Sequence, residues 1–152
     1  MRQESGRSMI EMLGVLAIMG VITAGAIALI SNAMRMQKRN TVNDEVMQIV
    51  TNVRQLLGEY DDFSTINNST IFGAIGMSDK NPYGGNYILS VNPADYRQFV
   101  VSITGLTKSD CQALVTKAWP DSIGNQMNGT SGATGNCVAP NGKNVVQIIY
   151  GE

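Results

Sequence analysis

The sequence predicts an α+β protein in which a long N-terminal helix is followed by a small antiparallel β-sheet and a short helix. Three observations lead to this fold class. Positions 9–30 contain 17 apolar residues and one charge, apolar residues recur at helical spacing over positions 42–60, and the remaining chain contains short runs of β-branched and aromatic residues. The 43% hydrophobic content of the 152-residue chain is therefore an average over a membrane-type segment and a polar domain.

The first part of the helix is an apolar segment without internal charge. Met12–Ile30 comprises 19 uncharged residues, which as a helix cover about 28 Å, close to the ~30 Å hydrocarbon core of a bilayer. The segment is longer than the apolar region of a cleaved secretory signal, so we expect it to be retained as a membrane-spanning helix. The alternative is a buried helix of a soluble core, but the domain that follows is too small to cover apolar side chains on every face.

The helix is predicted to continue beyond the apolar segment with one apolar and one polar face. Apolar side chains recur every three or four positions from Val42 to Tyr60, and polar residues fill the positions between them. No proline interrupts positions 7–60, and Gly58 followed by two aspartates marks the predicted end. We therefore predict one helix of about 50 residues whose second half packs on the domain.

The rest of the chain predicts a small α+β head. Residues from Thr107 to Trp119 are predicted to form a short helix that Pro120 ends. Positions 121–144 contain five glycines and five asparagines and are predicted to form a long loop. Three runs rich in β-branched and aromatic residues, at positions 86–91, 98–104 and 145–150, are predicted strands. The remaining residues leave room for a fourth strand.

The composition excludes several kinds of chemistry. The chain has no histidine, which removes the commonest general base, the imidazole-dependent triads and the usual zinc ligand. Two cysteines alone cannot complete a four-ligand metal site. Eleven basic and twelve acidic residues give a net charge of −1, so phosphate-driven binding is not indicated. We therefore predict no catalytic residue, no metal, no cofactor and no specific nucleic-acid partner.

The two cysteines, Cys111 and Cys137, lie in the predicted short helix and in the long loop. An even number of cysteines outside a membrane favours a disulfide, which would stabilise a small domain by about 3–4 kcal/mol. The alternative is two free buried thiols in a cytosolic domain. A disulfide would place the head on the extracytoplasmic side, although the basic residues that flank the apolar segment do not support that orientation.

The N-terminal residues resemble a processing signal. The short polar leader MRQESG ends in Gly6, Glu11 is the fifth residue after it, and an unbroken apolar helix follows. This arrangement resembles the prepilin signature shared by type IV pilins and the pseudopilins of type II secretion. The resemblance implies that a prepilin peptidase cleaves between Gly6 and Arg7 and methylates the new terminal amine. It also implies that Glu11 pairs with this amine of a neighbouring subunit and sets the register of assembly.

Physical chemistry alone also makes Glu11 and a nearby face of the helix candidates for a function. A carboxylate at the edge of hydrocarbon is costly unless it is paired, so it is a candidate functional residue. The alternative is an interfacial glutamate without a partner. Gly20, Ala24 and Ala28 are spaced by four and form a small-residue face that lets helices approach closely, although such residues are also common in membrane helices.

Two segments of the head narrow the resemblance to type IVb pilins. NPYGGNYILS at 81–90 resembles their turn that leads to a strand, and FVVSITGLTKSDCQALV at 99–115 resembles the strand and helix that carry the first disulfide cysteine. The organisation implied is a leader, a hydrophobic helix, an amphipathic helix and a head with a disulfide-bounded loop, at 1–6, 7–33, 34–60, 61–152 and 111–137.

The sequence thus predicts a structural subunit rather than an enzyme. The resemblance implies a precursor that crosses the inner membrane once, contacts membrane lipid and then polymerises with other pilin subunits into an extracellular or periplasmic filament. Its expected partners are the prepilin peptidase and the inner-membrane assembly machinery. The alternatives are a minor pilin, a pseudopilin of a type II secretion system, or a signal-anchored periplasmic enzyme or binding module.

Overall fold

The computed structural model describes residues 2–128, 130, 131, 137 and 139–151. The chain divides into two compact units, Met1–Lys38 and Arg39–Glu152. The described residues form three helices, α1 (Arg2–Leu57), α2 (Asn68–Ile75) and α3 (Lys108–Val115), and five strands, β1 (Tyr87–Asn92), β2 (Asp95–Leu106), β3 (Ser122–Met127), β4 (Thr130–Ser131) and β5 (Asn144–Gly151). The α+β fold class predicted from the sequence is confirmed.

The strands form one antiparallel sheet in the order β1-β2-β5-β3-β4. Strand β2 pairs with β1 so that Leu89 faces Val101, and with the central strand β5 so that Val101 faces Ile148. Because side chains alternate between the two faces of a strand, this register gathers the large apolar residues on one face. Those buried on it are Tyr87, Leu89, Phe99, Val101, Ile103, Val146, Ile148 and Tyr150.

The second half of α1 belongs to the same hydrophobic core as the sheet. Its apolar stripe is buried almost completely because residues three or four positions apart share one side of a helix. At the end of the core, the Phe99 ring lies 4.9 Å from Phe63 and 5.7 Å from Tyr150, measured between ring centroids. The buried stripe consists of Val42, Val46, Ile49, Val50 and Val53.

Three polar contacts fix this half of α1 to the head. The Tyr87 hydroxyl donates a hydrogen bond to the Glu45 carboxylate, and the Lys117 ammonium donates one to Asn43 Oδ1 at 2.8 Å. Near the helix end, Arg54 donates to the Gly151 carbonyl at 3.0 Å. These contacts lie near the two ends of the buried stripe. Because hydrogen bonds are directional, they restrict sliding and rotation of the helix on the sheet more than apolar contacts alone would.

The NPYGG turn is organised by the side chain of Asn81, which is buried. Its amide donates to the carbonyls of Asn86 and Thr104, and its oxygen accepts from the backbone N–H groups of Tyr83 and Gly85. All of its hydrogen-bonding groups are therefore used, which offsets the cost of burying a polar amide. The turn explains why this sequence leads directly into β1.

The turn also touches β2 at a bulge. A Cβ atom on Gly85 would lie 2.1 Å from the Thr104 carbonyl oxygen, and one on Gly105 would lie 2.7 Å from the Gly85 Cα. Gly105 has a φ of +77°, which only glycine adopts without strain. The two segments that carry the resemblance to type IVb pilins are thus in direct backbone contact through a pair of glycines.

Asn68, the first residue of α2, occupies the outer edge of β1. Its amide nitrogen donates to the Tyr87 carbonyl at 3.0 Å, and its oxygen accepts from the Leu89 N–H at 2.6 Å. One side chain therefore satisfies a donor and an acceptor that a further strand would otherwise use. Asn67 caps the same helix by accepting from the Ser69 N–H.

The structure corrects one boundary of the predicted helices. α1 ends at Leu57, next to the predicted stop at Gly58, whose N–H closes the last turn by donating to the Arg54 carbonyl. The predicted helix from Thr107 to Trp119 ends at Val115, because Trp119 turns back and its indole N–H donates to the Leu114 carbonyl at 3.0 Å. Helix α2 was not predicted.

The prediction of a loop over positions 121–144 is wrong where β3 and β4 form. The sequence of β3, SIGNQM, contains few strong strand formers, so its conformation depends on pairing with β5. This pairing brings Met127 into the core opposite Val146. Residues 129, 132–136 and 138 of the predicted loop lie outside the described residues.

We predict that Gly85→Ala destabilises the head by about 2–3 kcal/mol, because the backbone atoms that a Cβ would meet cannot move without breaking the turn. Gly73→Ala in α2 is the matched control. A Cβ there has nothing within 4 Å, so alanine should be neutral or stabilise by up to about 1 kcal/mol. Chemical denaturation of the two variants in detergent would compare them, and equal stabilities would contradict the close approach.

We also predict different effects of removing two buried tyrosine hydroxyls. Tyr87→Phe should cost about 1–3 kcal/mol, because it leaves the Glu45 carboxylate without this donor. Tyr150→Phe should change stability by less than about 0.5 kcal/mol, since the Tyr150 hydroxyl has no hydrogen-bond partner among the described residues. Reversible denaturation at neutral pH would test the contrast, which equal costs would refute.

The same tyrosines predict a loss of stability at alkaline pH. Burial raises the pKa of the Tyr150 hydroxyl to about 12, and burial with the Glu45 hydrogen bond raises the pKa of Tyr87 well above its usual range. The folded protein therefore holds these protons longer than the unfolded chain does, so their contribution is complete below about pH 10 and falls as the pH rises toward 12. Tyr150→Phe should make the decline shallower in a pH series of denaturation curves.

Candidate functional site

The first candidate site is the apolar part of α1, within the unit Met1–Lys38. An 18-residue window of this helix has a mean hydropathy of 2.5, and none of it is buried. The large apolar side chains from Met9 to Ile30 are between 52% and 75% exposed. Burying a side chain of this kind contributes about 1.5–3 kcal/mol, so the segment requires an apolar environment that the described chain does not supply. The helix is long and apolar enough to cross a membrane.

The polar side chains within this segment are satisfied locally. The Thr23 hydroxyl donates to the Met19 carbonyl at 2.7 Å, and the Ser31 hydroxyl donates to the Ile27 carbonyl at 2.9 Å. Each bond reaches back one turn along the same helix. Neither hydroxyl then needs water, which makes the segment compatible with hydrocarbon or with a packed apolar interface.

Glu11 is the charged residue of this segment. It lies one helical turn after Arg7, but no ion pair joins the two, and Glu11 has no hydrogen bond or ion pair among the described residues. Both side chains are exposed. A carboxylate next to an uncharged stretch of 23 residues, 12–34, requires a cation or several donors when its surroundings become apolar. The structure therefore leaves Glu11 available for a partner on another molecule.

The small-residue face of Gly20, Ala24 and Ala28 lies on the exposed surface of the same helix. A Cβ atom on Gly20 would have nothing within 4 Å. The residues share one side of the helix because they are spaced by four. Their helix backbone can consequently approach another helix more closely than a leucine-lined face could.

The second candidate region is the disulfide-bounded part of the head. Cys111 in α3 is bonded to Cys137, with a Cα–Cα distance of 5.9 Å. Both cysteines are buried, and Met127 of β3 contacts the Cys137 sulfur at 3.6 Å. The predicted disulfide is thus present and joins α3 to the segment that precedes β5. The alternative of two free thiols does not apply to this structure.

Asn144 fixes the chain after the disulfide, a role that the sequence did not predict. It is completely buried. Its amide donates to the carbonyls of Leu106 and Ala139, and its oxygen accepts from the Ala139 N–H at 3.1 Å and from the Asn128 amide at 3.3 Å. These bonds join the start of β5 to the end of β2 and to the disulfide-bounded region. An asparagine directly before the apolar run of β5 was the available sequence signal.

The head also contains a cavity of about 570 Å³. The charged groups that line it are Arg54 and Asp121, whose side chains approach to 3.8 Å. Each neutralises the other, and the remaining lining residues are Gly58, Phe63, Ile123 and Gly151. The described lining of the cavity therefore offers no nucleophile with an adjacent base. Among the residues that the structure describes, no three acidic or cysteine side chains are grouped for metal binding.

Comparison with known proteins shows similarity to two proteins that carry the same name. Toxin coregulated pilin from Vibrio cholerae serotype O1 is 27% identical over 128 residues, which cover 74% of this chain and 57% of that protein. A second toxin coregulated pilin from Vibrio cholerae is 28% identical over the same lengths. The similarity thus spans little more than half of these relatives. No family model matches the chain.

We predict that replacing both Cys111 and Cys137 with alanine lowers the free energy of unfolding by about 3–4 kcal/mol, because the unfolded chain is no longer closed by the bridge. Guanidinium denaturation of the wild type and the variant, each with and without reductant, would measure the effect. Reductant should destabilise the wild type alone. A wild type that reductant leaves unchanged, in stability and in gel mobility, would exclude the disulfide.

Proposed function

Because the chain is related to the type IV pilin superfamily, we propose that it is a structural subunit that polymerises into a type IV pilus-like filament after its leader has been removed. The relatives support a pilus subunit role in general. We further propose that the chain is processed, that it polymerises, and that it ends in a filament outside the inner membrane.

The observation that carries the proposal is the exposed apolar helix with its single unpaired carboxylate. A fully exposed apolar segment has two suitable environments, a lipid bilayer and a bundle of identical helices. A subunit that moves from the first environment to the second keeps this surface covered at both stages. The small-residue face would allow close helix packing in the bundle, and the local hydrogen bonds of Thr23 and Ser31 suit either environment.

Glu11 gives the polymer its register in this proposal. Cleavage between Gly6 and Arg7 would create a terminal amine one helical turn from Glu11. In the bundle, the carboxylate of one subunit would accept hydrogen bonds from the amine of its neighbour. Methylation of that amine would leave its positive charge at neutral pH unchanged. Subunits offset along the bundle would leave both charges unpaired in an apolar core, so the paired arrangement is selected.

The proposal assigns each part of the chain a stage in assembly. Residues 1–6 would be the leader recognised by the prepilin peptidase, 7–33 the membrane anchor and later the filament core, and 34–60 the support for the head at 61–152. The inner-membrane assembly machinery would extract the subunit from lipid. The N-terminus would begin in the cytoplasm, and the head would lie in the periplasm, where its disulfide is stable.

Electron microscopy of filaments sheared from cells, combined with mass spectrometry of the intact subunit, tests this function directly. We expect filaments whose subunit begins at Arg7, with or without a methyl group on its amine. Abundant long filaments indicate a major pilin, and rare incorporation into filaments of another subunit indicates a minor pilin or a pseudopilin. A full-length protein that retains Met1 and forms no filament would contradict the proposal.

We predict that Glu11→Ala leaves the membrane-inserted precursor intact but reduces filament formation at least about tenfold, since each interface loses a charge pair in apolar surroundings. Glu11→Gln, which keeps the size of the side chain, should fail in the same way. Ser8→Ala alters a neighbouring polar side chain and serves as the matched control. Filament yield by shearing, with the precursor measured in membranes, separates assembly from insertion, and normal filaments from both Glu11 variants would exclude the register role.

A further inference from the structure

A basic face follows the apolar segment of α1 and has no partner within the described chain. Arg35 and Lys38 are exposed, lie three positions apart on one side of the helix and make no ion pair among the described residues. Arg39 is half-buried, and its charge acts on the buried Tyr83 hydroxyl. No acidic residue lies within four positions of any of the three. The like charges therefore repel one another without compensation along the helix.

A surface of opposite charge lies where α1 ends. Glu59, Tyr60 and Asp61 follow directly after the last turn and are exposed. Tyr96 is also exposed, and its backbone lies next to this segment, because its carbonyl accepts a hydrogen bond from the Phe63 N–H at 2.8 Å. We call these four residues the acidic tyrosine surface. Asp62 is excluded from it, since its carboxylate is already held by Ser64.

The position of these acids is unfavourable for the isolated chain. The carboxyl end of a helix carries a partial negative charge, so acidic residues just beyond it are disfavoured. Glu59 and Asp61 have no ion pair or side-chain hydrogen bond among the described residues that would offset this. Two tyrosines that are 59% and 57% exposed add an aromatic surface that the head does not use for packing.

We propose that the basic face of one subunit, Arg35 and Lys38, docks on the acidic tyrosine surface of a second copy of this chain. The inference rests on the proposed function, because it requires the subunits to be adjacent in a filament. The chemistry of the two surfaces is complementary. Two cations meet two carboxylates, and the Tyr60 and Tyr96 rings offer faces that attract a guanidinium or an ammonium group.

This contact differs in kind from the Glu11 pair. It lies outside the apolar segment, where water and salt have access, so it contributes to neighbour choice more than to burial. It also involves different elements on the two partners, the helix of one and the head surface of the other. Such a head-to-tail contact repeats from copy to copy and is therefore suited to an open polymer rather than a closed dimer.

A charge exchange in the full-length chain tests the docking. Arg35→Glu with Lys38→Glu should lower filament yield at least about tenfold, because attraction becomes repulsion at every interface. Glu59→Lys with Asp61→Lys should do the same. The variant that carries all four substitutions should recover most of the yield. Lys108→Glu with Lys143→Glu, which changes two exposed cations elsewhere on the head, is the control for net charge and should assemble normally.

The readouts separate this inference from the proposed function. Each variant is first measured as a membrane-inserted, disulfide-bonded precursor, so that a folding defect is recognised; glutamate and the replaced cations have similar helix propensity. If the wild type forms filaments and the two double variants, one for each surface, form them equally well, the docking is overturned and the pilus role stands. Loss in both variants without recovery in the combined variant would also overturn the pairing. Absence of filaments from the wild type would overturn both proposals.

Discussion

The constraint on which the rest of the structure depends is that the N-terminal part of α1 has an apolar surface that the described chain cannot cover. The apolar side chains surround the helix, so no single packing partner would bury them all. The head is consequently built on the other half of the same helix, where the apolar residues are limited to one stripe. This division of one helix between two kinds of surroundings determines where the core, the polar contacts and the unpaired charges lie.

The elements predicted from the sequence are those whose patterns are local. The long helix and strands β1, β2 and β5 have strong periodicity or many β-branched residues, and each was found within a few residues of its observed bounds. Strand β3 could not be predicted in this way, because SIGNQM is extended through its pairing with β5 rather than through its own preference. Helix α2 is only eight residues long and depends on its Asn67 cap and its packing through Ile71 and Phe72.

The candidate residues follow the same distinction. Glu11 could be found because a charge beside an apolar run is visible in the sequence itself. Asn81 and Asn144 could not, because an asparagine is usually a surface or turn residue and its burial depends on carbonyls contributed by distant strands. The paired glycines Gly85 and Gly105 are visible as glycines, but their contact exists only after the turn has folded against β2.

The side chain of Asn68 affects how the sheet edge of one head can interact with another head. Heads that are held side by side at high local concentration are exposed to a hazard common to all sheet proteins, the joining of open strand edges into continuous β-structure. At the β1 edge, the Asn68 amide already occupies the Tyr87 carbonyl and the Leu89 N–H. This asparagine therefore leaves no open backbone group at these two positions of β1, so that heads brought together in the proposed filament would not extend one another's sheets there.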